Sequence, residues 1–113
     1  ENDLENMSAK SIAEAMYNGD EFALAVYEKC AEKLGLGLSV IIDILNPEAI
    51  VIGSIFTRSR AGLWESCKEI IEKEALGISW ECCEVVPAKL LEGIGDYAAL
   101  TVGVYGLKKD GRL

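Results

Sequence analysis

From residue 24 the apolar positions recur as Leu24, Tyr27, Ala31, Leu34, Leu38, Ile41 and Leu45, at spacings of three and four. That is the stripe of an amphipathic helix, and Glu28, Lys29, Glu32 and Lys33 fall off it. Beyond Leu34 the other faces turn apolar as well, so the second half of this helix needs cover on nearly every side. Gly35 and Gly37 sit inside it. Glycine costs a helix about 1 kcal/mol against alanine, and close packing against another backbone is the reason we expect for them. Asp43 is the one charge in the apolar half; it is a satisfied core polar group, the reading we favour, or a residue facing a cleft. Upstream, residues 8–18 form a shorter helix, capped by Ser11 with Glu14 in capping-box spacing or by Ser8. Asn18-Gly19 stops that helix, and Asp20 caps the next.

Pro47 ends the long helix. The run AIVIG, residues 49–53, is β-branched and does not alternate, which suits a central parallel strand buried on both faces. Residues 57–75 read as an amphipathic helix. Leu63, Cys67, Ile70 and Ile71 make its inner face, and the pairs Lys68/Glu72 and Glu69/Lys73 lie outside. ECCEVVPA, residues 81–88, is a second strand that Pro87 ends or confines to an edge. The segment between the strands is long enough for a right-handed helical crossover. Residues 95–107 form a last helix with Asp96 as its cap, and Ala99, Gly103 and Gly106 leave a smooth strip for a neighbouring helix. The order is α-α-β-α-β-α. Two strands leave both edges of their sheet to be dealt with, and the long helix asks for more cover than the chain owns. A fragment of a larger α/β protein, or an obligate oligomer, is therefore expected.

Composition narrows the partners. The chain has 113 residues, enough for one domain, and half of them are hydrophobic. Its formal net charge of −8 argues against nucleic acid and anionic membrane, which both need a basic face. Residues 1–34 carry much of the acid, as a solvated and solubilising surface. No uncharged run is long enough to span a bilayer, and the acidic N-terminus is unlike a signal peptide. The four cysteines, Cys30, Cys67, Cys82 and Cys83, lack the CxxC spacing, and there is no histidine. A zinc site would need all four thiolates, yet adjacent strand residues 82 and 83 point to opposite faces. Free thiols in a reducing cytoplasm are the expectation.

Candidate chemistry is sparse. Gly53 stands at the carboxyl end of a strand, just before a helix, where open α/β sheets bind ligands. The turn is either a nucleotide-contacting one, with backbone and helix N-terminus open to an anion, or an ordinary strand-to-helix turn. Arg58 and Arg60 lie nearby, to be solvated or to meet a phosphate. Trp64 and Trp80 read as packing residues. The chain has no phosphate loop of the GxxxxGK[ST] type and no histidine base, so no catalytic or metal-binding set is assigned.

The order of these pieces is familiar. NGDEFALAVYEKCAEKLGLGLSVIIDILNPEAIVIGSIF resembles the ROK family of bacterial glucokinases, other sugar kinases and sugar-sensing repressors. The marks are Gly19-Asp20 at a helix start, Leu34-Gly35 in mid-helix, Asn46-Pro47-Glu48, and the strand from Ile50 to Gly53. CEVVPAKLLEGIGDYAALTVGVYGL is similar to the family's last strand, loop and terminal helix, with Gly95-Asp96, Ala98 and Gly103 in place. The resemblance runs from about residue 11 to 107.

It implies an α/β fold: the C-terminal segment of an actin-like ATPase (ribonuclease H-like) domain, helix-rich with a small parallel β element. Residues 1–113 would be a single partial domain of a sugar kinase that moves the γ-phosphoryl group of ATP, with Mg²⁺, to a sugar hydroxyl. Gly53 and Ser54 would line the nucleotide, with Ser54 departing from the glycine the family prefers there, and Thr57 would cap the next helix. The phosphate loop, the catalytic aspartate and the sugar-contacting residues would belong to the preceding lobe, the partner this segment lacks. A homo-oligomer joined through the long helices is implied as well. The same resemblance admits a sugar-responsive repressor, which Ser54 slightly favours, and the chain also admits a non-catalytic dimerisation module.

Overall fold

A computed structural model describes residues 7–53, 55–90 and 93–112. The elements are helix α1 (Ala9–Tyr17), helix α2 (Glu21–Leu45), strand β1 (Ala49–Ile52), helix α3 (Ile55–Glu74), a short helix α4 (Gly77–Trp80), strand β2 (Glu84–Pro87) and helix α5 (Ile94–Lys109).

Local chemistry sets the boundaries. Ser8 is the cap of α1: its hydroxyl accepts from the Ser11 N–H at 3.1 Å, and the Ser11 hydroxyl accepts from the Ser8 N–H at 2.9 Å. Gly19 takes φ +83°, a left-handed turn that a side chain resists. Asp20 then caps α2 by accepting from the Ala23 N–H at 2.8 Å. The 25 residues of α2 end on Asn46, whose φ of 43° is left-handed, immediately before Pro47. Cover on α2 differs from the expected stripe. Ala23, Tyr27, Ala31, Gly35, Leu38 and Ile42 are buried, while Ile41 and Leu45 are exposed, as are Val40 and Ile44. The apolar second half thus has one covered face, not cover all round.

The core lies between α2 and α3, with α1 across one end. Phe56, Ile42, Ile71 and Cys67 are its largest fully buried side chains. Removing an isoleucine or phenylalanine side chain from water is worth roughly 1.5–3 kcal/mol. Gly35 lets the two helices close up: a Cβ there would meet the Cys67 carbonyl oxygen at 2.8 Å and the Ile70 Cβ at 2.7 Å. Gly37 has open space around it, so close packing explains the first glycine and not the second.

β1 and β2 pair in parallel, with Ile50 opposite Val85 and Ile52 opposite Pro87. The second strand begins at Glu84, because residues 77–80 form α4 and a turn follows. β1 is not buried on both faces. Ile50 and Ile52 pack toward the core, while Val51 keeps 65 % of its surface exposed. Asp43 is half-buried and accepts from the Leu76 N–H at 2.8 Å, so it pins the α3–α4 turn and is neither core nor cleft.

α5 begins at Ile94 after Gly93, so Asp96 lies in its first turn and does not cap it. No residue of α5 is buried. The Cα radius of gyration, 18.4 Å, exceeds the roughly 13 Å of a compact chain of this length. No helix among the described residues is long and apolar enough to cross a membrane. The fold class is α/β, helix-rich with a small parallel element, as in actin-like ATPase domains.

Candidate functional site

The two strands run in the same direction, so their carboxyl ends lie side by side. The Ala88 N–H donates to the Ile52 carbonyl at 2.8 Å and carries the pairing one step past β2. Gly53 follows Ile52 and is half-buried. Among the described residues beyond its chain neighbours, a Cβ on Gly53 would come no closer than 3.7 Å to any atom, the nearest being the Ala88 Cβ. Its φ is not left-handed either. Neither packing nor backbone conformation within the described residues therefore requires glycine at this strand end. Ser54 lies outside the described residues.

α3 begins at Ile55, which places Thr57 within the helix and not at its cap. Phe56 is buried beneath this first turn and meets Trp64 edge-on, with ring centroids 6.0 Å apart and planes at 87°. The Arg60 guanidinium stands 5.6 Å over the Trp64 ring. Arg60, Ala61, Trp64 and Glu65 line an open depression of about 560 Å³. Trp64 is thus a packing residue, as expected, and Arg60 is held by its neighbour one helical turn on.

Sequence reasoning missed the break in α3. Ser59 leaves helical geometry, with φ −115° and ψ 21°, and is buried. The Tyr27 hydroxyl, from the middle of α2, donates to the Ser59 Oγ at 3.0 Å in the core. Tyr27 fits an apolar stripe equally well as a plain ring, and the partner of its hydroxyl is 32 residues away. No short-range pattern could have signalled it.

Two of the four thiols are buried and held protonated. Burial pushes Cys67 up to about 11 and raises Cys83 as well. Cys30 and Cys82 are exposed, and all four cysteines are free. Among the described residues no cluster of acidic or cysteine side chains is set to hold a metal.

The sequence matches the pattern of the ROK family over residues 1–102. It is 28% identical over 98 residues to a glucokinase of Thermotoga maritima, covering 87% of this chain and 31% of that protein. It is 34% identical over 70 residues to a glucokinase of Halalkalibacterium halodurans, covering 62% of this chain and 21% of that protein. Among solved structures it resembles a ROK family transcriptional regulator described as a homologue of the E. coli MLC protein. The TM-score there is 0.67 and the identity 26%, covering 74% of this chain and 21% of that one. The chain thus spans about a third or less of the length of these relatives. The family's pattern extends over nine-tenths of the sequence and takes in the whole helix–strand–helix–strand core, and on that ground the chain belongs to the ROK family.

Proposed function

We propose that this chain is the C-terminal, nucleotide-side segment of an ATP-dependent sugar kinase, and that Gly53 with Ser54 forms one wall of the ATP site. The observation that carries the reading is the turn at Gly53. It opens at the carboxyl end of a parallel strand, ahead of a helix N-terminus, with a glycine that the fold itself does not require. The likeness to two glucokinases supports the kinase reading. The residues fit a nucleotide better than its metal: the turn offers backbone and space, whereas the described residues offer no carboxylate cluster. Mg²⁺ would travel with the ATP phosphates and take protein ligands from the other lobe, which would also supply the sugar site and the base. In such an enzyme most of the catalysis is positioning and charge stabilisation, and this segment's part is to position the nucleotide.

A sugar-responsive repressor is the second reading, favoured by the likeness to a transcriptional regulator. The test is ATP-dependent phosphorylation of glucose and related hexoses by the full protein, alongside Gly53→Val. A valine is tolerated by the strand end but fills the space in front of it, so the KM for MgATP should rise at least about tenfold with little change in the KM for sugar. Absence of phosphoryl transfer, with sugar-dependent release from DNA, would establish the repressor instead.

A further inference from the structure

We infer that Tyr27 is a positioning residue for the nucleotide turn, acting through Ser59 from the opposite side of the core. The inference rests on the ATP-wall reading given above. α3 is not one continuous helix: the turn that follows Gly53 is set apart from the rest by the non-helical Ser59. The direction of that first turn decides where its backbone N–H groups and the Gly53 bend point. Two anchors fix it. Phe56, 1 % exposed, is sunk in the core and braced edge-on by Trp64. Ser59, 2 % exposed, accepts a 3.0 Å hydrogen bond from the Tyr27 hydroxyl.

The rest of the packing is arranged around this link. A Cβ on Gly62 would lie 2.6 Å from the Met16 Cε and 3.5 Å from the Tyr27 Cδ1. The bare backbone at Gly62 makes room for the Met16 side chain, and the Tyr27 ring passes beside it at ordinary contact distance to deliver the hydroxyl one turn earlier, at the break. A phenylalanine would fill the same space and bury the same ring. Only the hydroxyl singles out Ser59, and a buried polar pair of this kind specifies one geometry over its alternatives because an unpaired hydroxyl there is costly. Without it, nothing from α2 holds Ser59 at the break, and the direction of the first turn is no longer fixed.

The experiment compares the full protein with Tyr27→Phe, Ser59→Ala and the double variant, by peptide-level hydrogen exchange with and without MgATP and by steady-state kinetics. In the parent sequence MgATP should slow exchange across residues 53–62. Tyr27→Phe should speed exchange in that segment, leave residues 63–74 unchanged and weaken MgATP about fivefold, the size of one net hydrogen bond, with kcat and the KM for sugar held. Ser59→Ala should match it, and the double variant should be no worse than either single one. If MgATP protects nothing in the parent sequence, the ATP-wall reading falls and this inference falls with it. If the parent responds and Tyr27→Phe responds equally, or if the two single effects add in the double variant, this inference alone is overturned.

Discussion

Replacing Gly35 by alanine sets two known effects against each other, and the structure decides between them. Alanine is the better helix former by about 1 kcal/mol, so in an open helix the change would stabilise. At position 35 the added methyl would meet the Cys67 carbonyl oxygen at 2.8 Å, the Ile70 Cβ at 2.7 Å and the Ile70 Cγ2 at 2.9 Å. The first is backbone and the second is fixed to it, so neither yields by a rotamer change, and α2 and α3 must separate along their closest approach. Overpacking of this kind costs about 1–3 kcal/mol, and with rigid atoms on the far side the upper half of that range applies. The net expectation is a loss of about 1–2 kcal/mol, or about 5–10 °C in Tm for a domain of this size. Gly37, two residues on, is the internal control, since nothing lies within 4 Å of its Cβ position. Gly37→Ala should gain up to about 1 kcal/mol. Urea or thermal unfolding followed by circular dichroism measures both. If the two variants shift stability in the same direction, the claim that Gly35 serves the α2–α3 contact is refuted.

Two further outcomes follow from named contacts. Asp43→Ala removes the acceptor of the Leu76 N–H and should cost about 1 kcal/mol in urea unfolding, with exchange speeding up around residues 75–77. Cys30 and Cys82 should react with a thiol reagent in the folded protein while Cys67 and Cys83 stay protected until it unfolds, as read by mass spectrometry. The buried Cys67 also sets an alkaline limit: its pKa is raised by burial from 9.0 to about 11, so the unfolded chain loses that proton first. Its contribution to stability is whole below pH 9 and is lost as pH rises toward 11, which Cys67→Ser or Cys67→Ala should remove from the pH profile of unfolding.

Much of this fold was legible in the sequence because its punctuation is strong. Gly19 admits a left-handed turn, Asp20 offers a side-chain cap and Pro47 cannot continue a helix, and the boundaries they imply hold. The stripe on α2 was most legible where polar residues marked its outer side, at Tyr27 and Ala31, although at its start the structure buries Ala23 and leaves the expected Leu24 exposed. Beyond Leu34 nearly every position is apolar, so spacing could not choose between Ile41 and Ile42, and the tertiary contact with α3 chose Ile42. α4 escaped because four residues are too few to show a period. The strand reading of AIVIG was right in kind, but its two-sided burial depends on what lies across the open face, where Val51 is exposed in this chain. For the candidate site, the position of Gly53 was readable and the control over it was not. The break at Ser59 depends on a hydroxyl pair that joins two helices, and sequence distance hides such a pair completely.

The glycines, taken together, separate what the fold demands from what it leaves open. Gly19 is demanded by its φ, and Gly35 by a carbonyl less than 3 Å from where its side chain would be. Gly37, Gly95 and Gly103 meet nothing, but they stand on exposed helix surface, where open space carries no information. Gly53 belongs to neither group. It is half-buried at the end of a paired strand, and yet among the described residues beyond its chain neighbours its side-chain position meets only the Ala88 Cβ, at ordinary contact distance. A side chain there would project into open space and bury little, so packing within the described residues does not account for the glycine. An unfilled position at the carboxyl edge of a parallel sheet, followed by a helical turn held at two buried points, Phe56 and Ser59, is what the proposed nucleotide wall would need: room in front of the strand end and a fixed direction for the backbone that would meet the ligand.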